Sequence, residues 1–303
     1  MKSISMIPGS SMIPGCESAG WATHLQETES ATGTQAMPAE SKHMPLVSVI
    51  TPVFNAAPWL SDTLASVRAQ TLTDWEQILV DDGSSDDSVA IAEAAVLHDP
   101  RFRLIRAPRN MGPSSARNLA IEAARGRFIA FLDADDLWLP EKLARSVAWM
   151  TSRGYSFIYH DYRHMSHDGL RVGALIKAPE KLDWRTLHTR RGTGGCVSIV
   201  IDRRRIPLFR FPPIAPYRAE DFCLWGQIIR EGHIGHRLPV DLACYRLSPK
   251  SRSANKLQGS INAWHLYREV SMLPIHLAAF WWLQYAWSAF MLYHRARPRE
   301  RRA

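Results

Sequence analysis

The chain has 303 residues, 46% of them hydrophobic and 22% charged, an ordinary globular composition with enough length to bury a sizeable core in one large domain or two small ones. Its four cysteines, Cys16, Cys196, Cys223 and Cys244, have neither zinc-knuckle nor redox-pair spacing, which excludes a disulfide framework and reads as reduced, cytoplasmic usage. A net charge of +8 leaves three readings open: solubility, nucleic-acid binding, or attraction to anionic lipid or a phosphorylated substrate; the placement of the charge decides between them.

The first 45 residues are rich in Ser, Gly, Thr, Pro and Met and repeat Ser-Met-Ile-Pro-Gly at 5–9 and 11–15. No continuous apolar run marks a secretory leader, and a disordered extension is expected, with Met44 a candidate natural start. Val47 to Val53 then forms a β-branched, apolar run ending at a Phe54-Asn55 turn. Residues 59–70 have helical spacing, with Leu60, Leu64 and Val67 on one face. Gln77 to Val80 is a second short strand, stopped by Asp81-Asp82-Gly83-Ser84-Ser85-Asp86. A helix over 88–98, a strand at Arg103–Ile105, an Ala-rich helix over 114–124 and a strand at Phe128–Leu132 follow, the last running into Asp133-Ala134-Asp135-Asp136. Short strands separated by helices indicate βαβ units, hence an α/β fold with a mostly parallel central sheet flanked by helices. Ligands of such sheets bind outside the carboxyl ends of the strands, so Asn55, the 81–86 loop and the 133–136 loop should converge on one crevice.

The chemistry in those loops is acidic. In an extended segment Asp133 and Asp135 share a face, and crowded carboxylates raise one another's pKa unless a positive charge sits between them. A hard divalent cation, Mg²⁺ or Mn²⁺, bound through one or two carboxylates plus substrate phosphates, satisfies that need; the plainer reading makes Asp136 a helix cap before Leu137-Trp138. In the Asp81–Ser84 turn, Asp82 is suited to accept from a base N–H, although such a turn needs no function. In Asn110 to Asn118, Gly112 permits a tight turn, Ser114 or Ser115 can cap the next helix, and Arg117 faces either phosphate or solvent. Glu220-Asp221 leads into an apolar helix, either as acids favouring its N-terminus or as a general base. Gly192-Thr193-Gly194-Gly195-Cys196, before a strand candidate at Val197–Ile201, lines an acceptor side or is only a tight turn. Trp138 and Trp184 are candidates for stacking on a sugar, or for the core.

These residues together resemble the family 2 glycosyltransferases, which have the nucleotide-sugar-binding GT-A fold. The resemblance rests on Val-Ser-Val-Ile-Thr-Pro-Val-Phe-Asn at 47–55, Asp-Asp-Gly-Ser at 81–84, Asn-x-Gly followed by Ala-Arg-Asn at 110–118, Phe-Leu-Asp-Ala-Asp-Asp at 131–136, and Glu-Asp at 220–221 before Leu224-Trp225. It spans residues 46 to 250, taken as the catalytic domain, with 1–45 as extension and 251–303 as a C-terminal helical region. What it implies is an inverting transfer of one sugar from a nucleotide-diphosphate sugar, a UDP-sugar first among donors, to an acceptor hydroxyl in cell-surface polysaccharide or glycolipid assembly. By the same resemblance Pro52, Phe54 and Asp82 hold the base, with Asn55 and Arg117 beside them, Asp133 lies near ribose and metal, Asp135 ligates the metal, and Asp221 is the base. Glu220, Trp225, Gly194 and Cys196 fall on the acceptor side. The Gln-x-x-Arg-Trp motif of processive members is absent after Asp221, which favours single-sugar addition. Tyr245-Arg246 is followed by Leu247 where many relatives carry His, leaving Arg246, Ser251 and Arg252 as candidates to touch the diphosphate.

Met272 to Tyr293 is apolar and aromatic and is followed by Arg295, Arg297, Arg299, Arg301 and Arg302. Pro274, His276 and Gln284 interrupt it, which favours a helix lying in the interface of an anionic membrane over one that spans it; a helix packed on the catalytic domain is the plain alternative. The expected place is the cytoplasmic membrane surface, with a saccharide or lipid-linked acceptor, and the basic tail accounts for charge without nucleic acid. A nucleotidyltransferase is the competing enzyme, but Thr51-Pro52-Val53-Phe54-Asn55 stands where its Gly-rich basic loop belongs. A non-catalytic nucleotide-sugar binder is the third reading.

Overall fold

Strand β1 (Val47–Val53) sends Val47, Val49 and Val53 to one face of the sheet and Ile50 to the other, as side chains of period two must. The computed structural model describes residues 44–189, 195–212, 219–247 and 256–296. Helix α1 (Ala57–Arg68) returns the chain to β2 (Trp75–Asp81), α2 (Ser88–His98) to β3 (Phe102–Arg106), and α3 (Pro113–Ala123) to β4 (Phe128–Phe131). All three crossovers join parallel strands, giving the order β3-β2-β1-β4. Leu60, Leu64 and Val67 of α1 pack on the Val49 face, while Ala116, Ala120 and Ile121 of α3 cover the Ile50 face.

Beyond β4 the sheet changes character. β5 (Leu137–Trp138) and α4 (Lys142–Arg153) lead to β6 (Phe157–Met165), β7 (Val172–Ile176) and β8 (Lys181–Leu182); later come β9 (Val200–Asp202) and the long β10 (Gly235–Arg246). β9 lies antiparallel between β4 and β6, β10 is parallel to β6, and β5 closes the edge antiparallel to β10. Among the described residues five of the nine pairings are antiparallel, so the sheet is mixed rather than mostly parallel. The βαβ pattern of the first half does not extend to the second, where short strands join without crossover helices.

Three local expectations also change. A single 3-10 turn at Cys196–Ser198 precedes β9, in place of a strand over 197–201. Gly112, at φ +83°, is the residue before α3 and Pro113 its first residue, so neither Ser114 nor Ser115 caps that helix. Asp136 precedes a strand, not a helix, and caps nothing.

Helix α5 (Trp184–Thr189) and helix α6 (Glu220–Arg230) seat the C-terminal part. Helix α7 (Lys256–His265) continues as a π-helical turn, Leu266–Val270, and α8 (Ile275–Ala296) folds back. Cys223 of α6 joins Ala263, Leu266, Tyr267 and Ala278 in a separate apolar cluster. His188 of α5 ties this unit down: its Nδ1 is 2.7 Å from the Trp184 carbonyl and its Nε2 2.7 Å from the Ser271 hydroxyl. A carbonyl only accepts, so Nδ1 carries the proton, and burial pushes the ring's pKa down to about 4. Among the described residues no helix is long and apolar enough to cross a membrane.

Candidate active site

The loops after β1 and β2 are stitched to each other. Asn55, at φ +48°, donates its N–H to Ser84 Oγ (3.0 Å) and accepts at Oδ1 from the Ser85 N–H (2.8 Å). Ala56 N–H donates to Ser88 Oγ at 2.8 Å, and Ala57 N–H to Asp86 at 3.0 Å. These bonds leave the Phe54 ring half exposed at the end of β1. Pro52 is partly buried within the strand.

Asp82 draws in the third loop. Its N–H donates to the Val53 carbonyl, and its buried carboxylate accepts from the N–H groups of Met111 (2.7 Å) and Gly112 (2.8 Å). Charge-assisted bonds of this kind are about twice as strong as neutral ones. Gly83, at φ +82°, allows the close approach, since a Cβ there would lie 3.2 Å from the Asn110 nitrogen.

The carboxylates after β4 are arranged by a turn. Asp136 N–H donates to the Asp133 carbonyl at 3.1 Å, so Asp133 and Asp135 are not alternate residues of an extended strand. Thr63 of α1 places its hydroxyl 3.0 and 2.9 Å from the Ala134 and Asp136 carbonyls. Arg246, 3% exposed, donates its N–H to Asp136 Oδ1 (2.8 Å), Nε to the Asp135 carbonyl (2.7 Å) and Nη1 to the His167 carbonyl (2.9 Å). It therefore fixes the acidic turn from behind; Ser251 and Arg252 lie outside the described residues. Burial first, and the Asp133 charge second, push the Asp135 carboxyl up to about 6. Burial and both neighbouring carboxylates push Asp136 well above its ordinary range, and among the described residues its Oδ2 has no hydrogen-bond partner.

Arg117 joins the two sides of the site. It is 4% exposed, not a surface arginine; its Nη2 donates to Asp133 Oδ1 at 2.6 Å and its Nη1 lies 3.9 Å from Glu220. Its ring partner is Phe211, 5.3 Å away, which Asn118 holds by two backbone bonds of 2.7 and 2.9 Å. Glu220 and Asp221 open α6. Burial raises the Asp221 carboxyl to about 6, opposed by the Arg117 charge, and Cys196 Sγ donates to its Oδ1 at 3.2 Å. A carboxylate mostly ionised at neutral pH yet more basic than usual is fitted to take a proton.

Not all sequence-derived candidates reach this site. Trp225, 1% exposed, packs against Phe131, Phe157 and Phe211 in the core and presents no surface to an acceptor. Trp138 is likewise buried, with its Nε1 donating to the Val197 carbonyl. Trp184 stacks under Arg230, at 4.5 Å. Gly194 lies outside the described residues. Thr63 and Phe211 escaped sequence reasoning, because nothing in their local pattern marks them; only the fold brings Thr63 to the acidic turn and Phe211 to Arg117.

Acidic side chains and the buried Arg117 thus gather around the loop after β4 and the start of α6. Residues 48–201 match the family described as glycosyl transferase family 2, and the chain belongs to that family. It is 35% identical over 245 residues to TuaG of Bacillus subtilis (strain 168), a glycosyltransferase named for teichuronic acid biosynthesis, covering 81% of this chain and 96% of that one. Over 232 residues it is 35% identical to WfgD of Escherichia coli, a UDP-Glc:alpha-D-GlcNAc-diphosphoundecaprenol beta-1,3-glucosyltransferase, covering 76% and 88%. The fold is similar, at a TM-score of 0.58 and 17% identity, to the mannosyltransferase PcManGT of Pyrobaculum calidifontis in complex with GDP-Man and Mn²⁺, covering 84% and 77%. The chain is thus a glycosyltransferase.

Proposed function

We propose that the chain adds a single sugar, with inversion, from a nucleotide-diphosphate sugar, first a UDP-sugar, to a hydroxyl of a saccharide or lipid-linked acceptor in cell-surface polysaccharide assembly. The observation that supports this reading is the shared Arg117: its guanidinium is bonded to Asp133, and its charge acts on both Asp135 and Asp221, as one site holding both carboxylates requires. Phe54, Pro52 and the Asp82 loop receive the base, and Asn55 holds that loop to β1. Asp133, fixed by Arg117, faces the ribose. Asp221 accepts the proton of the acceptor hydroxyl; the new C–O bond forms as the anomeric carbon's bond to the diphosphate oxygen breaks, and the nucleoside diphosphate leaves. Glu220 and Cys196 border Asp221 on the acceptor side.

Asp135, with Asp133 beside it, fits a divalent Mg²⁺ or Mn²⁺. Burial and the Asp133 charge raise Asp135 in spite of the charges of Arg246 and Arg117, so this pair of carboxylates favours a further cation and supplies only part of its ligands. That is the donor set of an ion that takes its remaining ligands from phosphate and water. When bound, the ion supplies Lewis-acid stabilisation of the departing diphosphate.

A membrane-surface reading has its own support. Phe280, Leu283, Trp287 and Phe290 of α8 are each more than half exposed, and their spacing sets them on one face. Basic residues at 295, 297, 299, 301 and 302 follow in the sequence. Such a helix lies on anionic lipid, which would put the enzyme on the cytoplasmic membrane surface beside a lipid-linked acceptor.

The test is a screen of UDP- and GDP-sugars with Mn²⁺ and lipid-linked or free saccharide acceptors, following nucleoside diphosphate. Acceptor-dependent release with one donor class is expected; no turnover with any donor would leave a nucleotide-sugar binder instead.

A further inference from the structure

We propose that Cys196 is a positioning residue for this reaction: its thiol pins one oxygen of the Asp221 carboxylate and leaves the other for the acceptor hydroxyl. The inference rests on the reading of Asp221 as the base. The charges of two carboxylates, Glu220 next to it in the chain and Asp133, and of the Arg117 guanidinium act on Asp221. That guanidinium gives its Nη2 hydrogen to Asp133, and among the described residues its Nε and Nη1 have no hydrogen-bond partner. Among the described residues, the side-chain donor on the Asp221 carboxylate is therefore Cys196 Sγ, 3.2 Å from Oδ1.

A thiol suits this place. Cys196 is 3% exposed in the 3-10 turn before β9, packed in the same apolar cluster as Leu224 of α6. Burial, with the charges of Asp221 and Asp133, pushes its pKa well up, so it keeps its proton through the working pH range. It donates to Asp221 without competing for the acceptor's proton, and its hydrogen bond favours the ionised carboxylate.

The experiment compares Cys196→Ala, Cys196→Ser and Asp221→Asn with the unaltered full chain. Two readouts are used: the pH dependence of kcat/KM with the donor found above, and the infrared S–H stretching band of Cys196 identified by difference against Cys196→Ala. Losing the donor should raise the acidic limb of kcat/KM by about one pH unit, a loss of about eightfold at pH 5.5 but only about twofold at pH 7. Cys196→Ser should bring the limb back towards its original position. The S–H band should lie below that of an unbonded thiol and move up in Asp221→Asn. An unmoved limb in Cys196→Ala, a serine variant as displaced as the alanine one, or an S–H band unchanged by Asp221→Asn each overturns the proposal. If the base reading itself fails, Asp221→Asn keeps its turnover, and the proposal falls with it; if Asp221→Asn is inactive and the Cys196 readouts stay unmoved, only the thiol's role is lost.

Discussion

The proposed donor side and the proposed acceptor side of the site are built differently. On the donor side Asp82 accepts two backbone N–H groups, Asp133 is bonded to Arg117, and the backbone of the acidic turn is fastened by Thr63 and Arg246, while the Asp135 carboxyl stays raised to about 6 for an ion to settle. On the acceptor side Asp221 receives one thiol hydrogen bond at 3.2 Å and is pushed up to about 6 by burial. A nucleotide pocket gains from pre-organisation, because fixed dipoles need no rearrangement as charge develops. A base gains from the opposite, an under-solvated carboxylate eager for a proton.

Asp135→Asn breaks the donor side most severely. With the proposed metal ligand gone, kcat/KM should fall about a hundred- to a thousandfold and donor affinity should fall with it, measured by nucleotide release and by calorimetry across a Mn²⁺ titration. Retained activity at saturating Mn²⁺ would shift the ligand role elsewhere.

Arg117→Met tests the link between the two sides. It leaves Asp133 without its buried cation, and urea denaturation should register a loss of about 3 kcal/mol, the usual order for breaking a buried pair. A stability within error of the parent would mean that the guanidinium is dispensable to the fold.

pH sharpens the contrast next. With Asp221 raised to about 6, kcat/KM should climb about tenfold per unit below that value and level off above it. The stability term has the opposite sign: the folded carboxyl holds a proton that the unfolded chain has already released, so ionising it costs stability as pH rises from 3.8, its ordinary value, to about 6. His188 acts the other way, since its depressed pKa makes its contribution complete above about 6.5 and progressively lost as pH falls towards 4. An acidic limb near 4 would show that burial does not raise the group that takes the proton.

The smallest effect concerns the outer face of α8. Trp287→Ser with Phe290→Ser should weaken binding to anionic vesicles about tenfold in a sedimentation assay, with little change on neutral vesicles. Equal binding by the double variant would assign that face to something other than lipid.

How far the sequence could be read follows the same division. The donor side is local: each strand of β1 to β4 ends in its own polar loop, and parallel pairing alone carries the loops to one edge, so Asn55, Asp82 and Asp133 could be placed together from pattern. The acceptor side is assembled from afar. Cys196 and Asp221 are separated by 25 residues, and their contact depends on β9 slotting antiparallel beside β4, which no periodicity in residues 197–201 announces. Arg246 carries no local sign of its task, because its partners are carbonyls more than 75 residues away. Trp225 misled for the reverse reason: its place after Glu-Asp pointed to the site, while its large apolar surface is what holds α6 against the sheet.

The most direct measurement pairs equilibrium donor binding with steady-state nucleotide release on Asp221→Asn in the presence of Mn²⁺. Donor affinity within about twofold of the parent, with kcat lowered about a hundred- to ten-thousandfold, is the expected result for a lost general base. Turnover at the parental rate, or donor affinity lost together with turnover, would contradict a division of the crevice into a pre-organised donor side and a proton-accepting Asp221.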